Sequence, residues 1–237
     1  MAPSYIPEPG TAPNVPHDAK ETYNTLKHGG VVIIPTDVGY ALLTNTQAGI
    51  QRIFSAKDRR IGHNIGIIGI YKQHREIHVL SEAKVGMTRV LTEDVIIIIR
   101  IIAKYDTENL HPRLAILDPA MLSQVTKDDT VSITVPKDLF LRNSVAFGQR
   151  FRVEDIESRV INAVDLVVDY GLQKWQAYRR GGVNFDAENM KVLQKGAGYE
   201  VFHDRMLRWF PNLLKDAGVG IEEDPDFQTS EPGMPAT

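Results

Sequence analysis

The 237-residue sequence contains no cysteine. Disulfide bonds, thiolate nucleophiles and cysteine-ligated zinc are therefore excluded, and the composition favours a cytoplasmic protein over a secreted one. The N-terminal residues lack an apolar stretch of signal-peptide length. The isoleucine-rich run at 95–102 is much shorter than the roughly 20 residues that a membrane-spanning helix needs. We therefore expect a protein with no membrane segment.

Charge of one sign is not in large excess either, since 27 Lys and Arg face 30 Asp and Glu, for a net charge of −3. This balance predicts no nucleic-acid partner by itself, so any contact with RNA would need a local basic patch. No P-loop or GxGxxG glycine pattern is present. His74 and His78 have helical spacing but lack the Glu and third ligand of a helical zinc site, so we interpret them as a polar helix face and predict no metal site.

The apolar residues, 43% of the chain, suffice for one α/β domain. Strands and helices alternate along the sequence, which favours an α/β sandwich over all-helical or all-β folds. The predicted strands are 31–35, 65–71, 95–103, 130–135 and 165–170, and the predicted helices are 18–28, with Asp18 as N-cap, 46–58, 81–91 and 153–163. We predict a proline-rich arm at 1–17, the domain at 18–210, and a flexible C-terminal extension at 211–237 that is acidic towards its end.

Polar side chains follow the first predicted strand. The segment 28–40 reads HGGVVIIPTDVGY, so a buried strand runs into a loop that carries Thr36, Asp37 and Tyr40. The next predicted helix ends at the basic cluster 57–60, which contains Lys57, Arg59 and Arg60. Guanidinium and ammonium groups are suited to bind phosphate or carboxylate. Although cations at a helix terminus are often only solvated, their place after the loop favours ligand binding.

These segments resemble the YrdC family of threonylcarbamoyl-adenylate synthases. The family opens with Gly-Gly, an apolar run and Pro-Thr-(Asp/Glu)-Thr-x-Tyr-Gly-Leu, followed by Lys-x-Arg, and the resemblance covers roughly residues 18 to 205. It implies a single α/β domain with a twisted mixed β-sheet and helices packed on both sides. It also implies that Lys57 and Arg59 contact ATP or its adenylate product, and that Thr36 and Tyr40 shape the pocket for the amino-acid or acyl portion.

Three further residues are site candidates. His63 follows the basic cluster and is either an acid–base group or a structural loop residue. Arg100 interrupts an isoleucine run, where a charge must find a partner, reach an edge or line a cleft. Arg180 is a cation that could compensate for lost family residues. Our candidate catalytic residues are Asp37, Tyr40 and His63, although Asp37 is also an ordinary turn residue. Our candidate ligand-binding residues are Thr36, Lys57, Arg59, Arg60, Arg100 and Arg180.

The later polar motifs of the family are altered. Thr134 stands where the family carries an arginine, and Gln194 stands at a second arginine position. Residues 143–148 replace a Ser-Ala-Asn-x-Ser-Gly loop, and 180–183 lacks two family hydroxyls. Each charge-assisted hydrogen bond contributes on the order of 1.5–3 kcal/mol, so these losses predict much weaker nucleotide binding.

We therefore expect a repurposed enzyme that acts on a small anionic or carbonyl-containing molecule, as in specialised metabolism, with the family adenylation lost. The alternative is a surviving threonylcarbamoyl-adenylate synthase that uses threonine, bicarbonate and ATP. A third alternative is a non-catalytic nucleotide- or RNA-binding protein. The cofactor is unknown, with ATP and Mg²⁺ expected only if the ancestral activity is retained, and tRNA or double-stranded RNA is a partner by resemblance alone. The sequence gives no oligomeric state.

Overall fold

The computed structural model describes residues 2–8, 10–36, 39–59, 65–94, 99–135, 144–148, 152–172 and 181–218. The strands are β1 Ser4–Ile6, β2 Val32–Thr36, β3 Gly39–Thr44, β4 Gly66–Ile68, β5 Ile99–Lys104, β6 Thr126–Lys127, β7 Thr130–Val135, β8 Ser144–Gly148, β9 Leu166–Val168, β10 Val183–Asp186 and β11 Lys191–Gln194. The helices are α1 Val15–Lys27, α2 Gln47–Ala56, α3 Tyr71–Ile77, α4 Glu82–Arg89, α5 Pro112–Ala115, α6 Pro119–Val125, α7 Ser158–Ile161, α8 Tyr199–Trp209 and α9 Pro211–Asp216, and a π-helical turn occupies Val90–Asp94.

The described strands form one mixed sheet in the order β1-β9-β2-β3-β8-β4-β7-β5-β10-β11, with β6 paired to β7. The pairs β2–β3, β3–β8 and β5–β7 are antiparallel, whereas β9–β2, β4–β7 and β5–β10 are parallel. Helices follow several of the strands, because parallel neighbours need crossover connections. The predicted α/β class with a mixed sheet is confirmed.

The sheet has two faces of different character. Ile33, Ile101 and Ile133 point to the first face, where buried side chains of most of the helices complete two large apolar clusters. The second face holds a smaller cluster that includes Ile34 and Ile68, and α1 packs there through Leu26. We call the second face the cleft face. Successive strand residues alternate between the faces, so neighbours in sequence have different surroundings.

Several element boundaries differ from the predicted ones. Helix α1 begins at Val15, three residues before the predicted start, because the side chain of Asn14 accepts a hydrogen bond from the backbone of His17 at 3.2 Å and Pro16 lies in the first turn. The predicted N-cap, Asp18, instead lies in the first turn, is buried, and accepts a hydrogen bond from the Tyr170 hydroxyl at 2.7 Å. The predicted helix 153–163 shortens to α7.

The interpretation of His74 and His78 as a polar helix face is wrong. Their exposed fractions are 0% and 5%, and ring nitrogens of the two residues contact each other. His74 Nε2 lies 2.8 Å from Thr88 Oγ1, and His78 Nε2 donates to the Val131 carbonyl at 3.0 Å. Burial lowers the pKa of His74 to about 3 and that of His78 to about 4, because the charged form loses its hydration.

The folded chain continues beyond the predicted boundary at residue 210. Helix α9 follows α8, and its Leu214 is buried in the apolar cluster with Met206 and Phe202. Residues 219–237 lie outside the described part of the chain, so the prediction of a flexible tail there stays a prediction. None of the described helices is long and apolar enough to cross a membrane.

Candidate functional site

A polar row crosses the cleft face where an apolar core would otherwise continue. Thr134 of β7 pairs directly with Ile68 of β4 on one side and with Arg100 of β5 on the other. Arg100 in turn pairs with Asn184 of β10. Because directly paired residues point to the same face, the apolar cluster around Ile68 gives way to Thr134, Arg100 and Asn184. This part of the sheet can therefore serve as the floor of a polar site.

The Arg100 guanidinium lies close to the backbone of Gly66. A Cβ atom at Gly66 would come within 2.9 Å of Arg100 Nε and 3.0 Å of its Cζ, so a larger residue at position 66 would displace the guanidinium. Arg100 Nε also donates a long hydrogen bond of 3.4 Å to Thr134 Oγ1. The missing side chain and the cross-strand hydroxyl together fix the guanidinium on the cleft face.

The guanidinium of Arg100 is poorly compensated. Within the described ranges it forms no ion pair with a carboxylate, and Thr134 is its hydrogen-bond partner. Burial, followed by the positive charge of Arg59, lowers the pKa of Arg100 from its ordinary value. An arginine stays protonated under these conditions, so Arg100 is a buried cation without a carboxylate partner among the described residues.

Lys57 and Arg59 lie in the segment that leaves α2. Their backbone N–H groups donate to the Ile53 and Phe54 carbonyls at 2.9 and 3.0 Å, which fixes the chain at the C-terminus of the helix. Burial, and then the charge of Arg59, lower the pKa of Lys57 to about 8, while Glu157 opposes the shift. Burial also lowers the pKa of Arg59. Arg59 is therefore near enough to act electrostatically on both Lys57 and Arg100.

Thr36 lies on the cleft face at the end of β2, in the same alternation as Val32 and Ile34. Its hydroxyl donates to the Gly39 carbonyl and so joins the facing ends of β2 and β3. Thr36 and Arg100 thus share a face of the sheet, although several strands separate them.

Tyr40 points to the other face. Its ring is 1% exposed and belongs to the apolar cluster with Ile33 and Leu42. Its hydroxyl donates to the Asp169 carboxylate at 3.0 Å and to the Gly171 carbonyl at 2.8 Å, and accepts from the Tyr170 backbone at 3.0 Å. The Tyr40 side chain thus connects β3 to the segment after β9 by hydrogen bonds.

The remaining candidates, Asp37, Arg60, His63 and Arg180, lie outside the described residues, and their roles stay predictions. Among the residues that the structure describes, no group of three or more His, Cys, Asp or Glu side chains could hold a metal ion.

Sequence reasoning missed Gly66 and Ser132. The segment 130–135, Thr-Val-Ser-Ile-Thr-Val, alternates polar and apolar residues, so a polar face that includes Ser132 could have been found from this pattern. No sequence pattern marks Gly66, because its role depends on a side chain from a strand two positions away in the sheet.

The comparisons with known proteins agree with this architecture. The sequence model of the Sua5/YciO/YrdC family, described as "Telomere recombination", matches residues 24–142, half of the chain. Among curated proteins, no sequence matches this chain significantly.

Three solved structures share the fold at low sequence identity. A hypothetical protein of Streptococcus mutans UA159 is 19% identical with a TM-score of 0.68, and the match covers 93% of this chain and 97% of that one. YciO of E. coli is 17% identical with a TM-score of 0.59, covering 83% and 96%. Sua5 of P. abyssi in complex with L-threonine is 13% identical with a TM-score of 0.60; the match covers 82% of this chain but only 57% of Sua5.

Proposed function

Since the chain belongs to the Sua5/YciO/YrdC family, we propose that it is an enzyme of this fold that binds a small anionic molecule in its cleft, with Lys57, Arg59 and Arg100 as the cationic contacts. The ligand class includes phosphates and carboxylic acids, among them carbonyl-containing acids of the kind used in specialised metabolism.

One observation carries this proposal: burial, and then the charge of Arg59, lower the pKa of both Lys57 and Arg100. Three cations thus repel one another in a partly dehydrated environment, which costs free energy in the ligand-free protein. An anion bound among them would offset this repulsion and would give Arg100 the counter-charge that none of the described residues provides. The arrangement is costly for stability alone and useful for binding.

The three cations would have different chemical roles. The pKa of Lys57 is about 8, so near neutral pH its ammonium can both stabilise an anion and give up a proton. Arg59 and Arg100 remain charged and can orient the ligand. Asp37 and His63 stay our candidates for further proton transfer. Tyr40 is less suited to that role, because its hydroxyl is already held by Asp169, Tyr170 and Gly171.

A second candidate function is the synthesis of threonylcarbamoyl-adenylate from L-threonine, bicarbonate and ATP, with Mg²⁺ bound to the nucleotide substrate. The Arg100–Thr134 contact favours it, since a guanidinium lies next to the position where the family pattern predicts one. The similar fold of Sua5, solved with L-threonine, gives it a precedent. The match covers only 57% of Sua5, so we assign the activity of that whole protein to this chain only as a proposal.

Calorimetric titration tests the proposal, with sodium pyrophosphate and ATP–Mg²⁺ as probes. We expect saturable binding in the wild type and an affinity at least about tenfold lower in Arg59→Gln, because a charge-assisted contact is lost. Arg208→Gln is the matched control, since Arg208 is exposed on α8 and pairs with Asp204. Equal affinities in wild type and Arg59→Gln would exclude the proposed site.

A pyrophosphate-release assay separates the two candidate functions. Release from ATP that requires both L-threonine and bicarbonate would establish the synthase. Anion binding that depends on Arg59, without such release, would support an enzyme with another substrate.

A further inference from the structure

A cavity of about 580 Å³ lies between helices α3 and α4. Ile77 of α3 and Met87 of α4 belong to the apolar cluster of the first face, so both helices lie on the side of the sheet opposite the cleft face. The cavity is therefore separate from the cleft to which we assign the proposed function. Its volume is within the range of roughly 300–1,000 Å³ that is typical of small-molecule sites.

The base of this cavity is mainly apolar. Tyr71, Leu80 and Val85 line it, and the side chains of Tyr71 and Leu80 also pack against the apolar cluster of the first face. The Tyr71 hydroxyl donates to the Val85 carbonyl at 3.0 Å, which connects α3 to α4 across the base. The base thus offers apolar surface to a ligand at a place where the two helices are joined.

Charged side chains of both signs form the rim of the cavity, namely Arg75, Glu82, Arg89 and Glu93, and all four are exposed. Arg89 Nε donates to Glu93 Oε2 at 2.9 Å, so these two charges compensate each other. Arg75 and Glu82 form neither a hydrogen bond nor an ion pair with any residue that the structure describes. One cation and one anion of the rim are therefore available to a ligand.

Arg75 and Glu82 lie at different ends of the cavity. Burial raises the pKa of Tyr71, and the charge of Glu93 raises it further. The charges of Arg75 and Arg89 lower this pKa, so both guanidinium groups are close to the phenol, whereas Glu82 is not among the groups that shift it. Glu82 is in the first turn of α4 and Arg89 is in the last, which separates them by about 10 Å along the helix axis.

A π-helical turn determines which charges of the rim are paired. The turn Val90–Asp94 directly follows α4 and contains Glu93, which reaches back to Arg89. Such turns are rare and frequently occur at functional sites. Because Glu93 compensates Arg89, the guanidinium of Arg75 is the one that keeps its charge for a ligand.

A matching ligand has an anionic group and a cationic group at opposite ends of an apolar body. In an α-amino acid both charged groups are attached to one carbon atom, so they are too close together to reach both ends of the cavity. A peptide gains about 3.3–3.6 Å in length per residue, so a tripeptide spans about 10 Å. Its terminal carboxylate and ammonium then match the separation of Arg75 from Glu82.

We propose that the cavity between α3 and α4 binds a short peptide with free termini. The peptide carboxylate pairs with Arg75, the peptide ammonium pairs with Glu82, and an apolar side chain packs on Leu80 and Val85. This site is additional to the anion site in the cleft and does not depend on it.

Calorimetric titration of the full chain with the tripeptide Ala-Leu-Ala tests this site. Two modified forms of the tripeptide each lack one charge, because one has an acetylated N-terminus and the other an amidated C-terminus. We expect saturable binding of the unmodified tripeptide. Each modified form should bind about threefold to fivefold more weakly, since an exposed ion pair contributes a modest free energy.

Two variants assign the peptide termini to the two ends of the cavity. Arg75→Gln should weaken binding of the unmodified and the acetylated tripeptide, but not of the amidated one, which has no carboxylate. Glu82→Gln should weaken binding of the unmodified and the amidated tripeptide, but not of the acetylated one, which has no ammonium. Lys72→Gln is the matched control, because Lys72 is exposed on α3 and pairs with Glu76 outside the cavity.

Three results would each overturn the peptide site: no saturable binding of the tripeptide, equal affinities for free leucine and the tripeptide, or an effect of either variant that is the same for all three forms. Circular dichroism confirms that the variants are folded.

A titration in the presence of sodium pyrophosphate separates this site from the cleft. Pyrophosphate should leave the tripeptide affinity unchanged at equal ionic strength, and competition between them would overturn the location between α3 and α4. Absence of pyrophosphate binding with normal tripeptide binding would overturn the proposed function alone.

Discussion

Arg100 Nε lies 3.4 Å from Thr134 Oγ1, and the two residues pair directly across β5 and β7. The resemblance predicts an arginine at position 134, and its replacement by threonine suggested that a guanidinium was lost. The structure instead brings a guanidinium from the neighbouring strand to the same part of the floor. The cross-strand pair thus contains one guanidinium and one hydroxyl, with the guanidinium on β5.

Exchanging the two side chains tests this relationship. Arg100→Thr should lower pyrophosphate affinity about tenfold, because one charged contact is lost. The double variant Arg100→Thr with Thr134→Arg should recover most of that loss, since the guanidinium returns from β7. Calorimetry measures both, and circular dichroism confirms that each variant is folded. If the double variant binds pyrophosphate no better than Arg100→Thr, then a guanidinium on β7 cannot replace the one on β5.

Gly66→Ala should weaken anion binding through Arg100. The added Cβ would lie 2.9 Å from Arg100 Nε, which is too close, so the guanidinium must leave its place on the sheet. We expect a severalfold lower affinity for acetate with a small change in melting temperature, because a flexible side chain can move away.

Gly86→Ala is the matched control, since nothing lies within 4 Å of a Cβ at this exposed helical position. It should raise stability by up to about 1 kcal/mol through helix propensity and leave binding as it is. Equal acetate affinities in the two glycine variants would contradict a role in anion binding for the Arg100 guanidinium at its position beside Gly66.

The pKa of Lys57, about 8, predicts a pH dependence of anion affinity. As the pH rises through this value the ammonium loses its proton, so the site loses a positive charge. Sulfate is the suitable probe because its own charge is constant in this range. We expect the affinity for sulfate to fall up to about tenfold between about pH 7 and pH 9.

Lys57→Arg provides the comparison, because arginine keeps its charge throughout that range. Its sulfate affinity should change much less with pH. The same fall in Lys57→Arg and in the wild type would assign the titration to another group.

The fold was predictable from the sequence because its main signals are local. The apolar run before Pro35 and the alternation in 130–135 each specify a strand from its own residues, and both strands are present. Helix ends were less predictable, since α1 begins where Asn14 and Pro16 happen to favour it. The helix predicted at 153–163 is mostly irregular, because apolar spacing alone does not define a helix.

The site was only partly predictable. Lys57 and Arg59 follow one another in the chain, so their shared location could be inferred from sequence. The pairing of Arg100 with Thr134 depends on strand order and register, which a single sequence does not contain. The burial of His74 and His78 was missed for the same reason, because their partners Thr88 and Val131 lie on other elements.

Tyr40→Phe should lower stability, because the Tyr40 hydroxyl makes three partly buried hydrogen bonds to residues 169–171. Removing it takes one hydrogen bond from each of Asp169, Tyr170 and Gly171, and we expect a loss of about 1–3 kcal/mol in the free energy of unfolding. Urea denaturation measures the loss. Tyr23→Phe is the control, since Tyr23 is 64% exposed on α1. An unchanged unfolding free energy in Tyr40→Phe would contradict the structural role of this hydroxyl.

The buried pair His74 and His78 predicts that the protein loses stability in mild acid. The pKa values in the folded protein, about 3 and about 4, lie below the ordinary value of 6.5. Between that value and about pH 4 the unfolded chain binds protons that the folded chain does not, so stability falls as the pH falls. In this window each histidine lowers the free energy of unfolding by up to about 1.4 kcal/mol for each pH unit. Above the window neither histidine makes stability depend on pH.

Urea denaturation at several pH values between about 7.5 and 4.5 gives this slope. In His78→Gln one titrating group is removed, so the slope should become flatter, although the stability near neutral pH also falls because the packing around Val131 changes. If His78→Gln and the wild type lose stability equally per pH unit, then His78 does not remain neutral in the folded protein down to about pH 4.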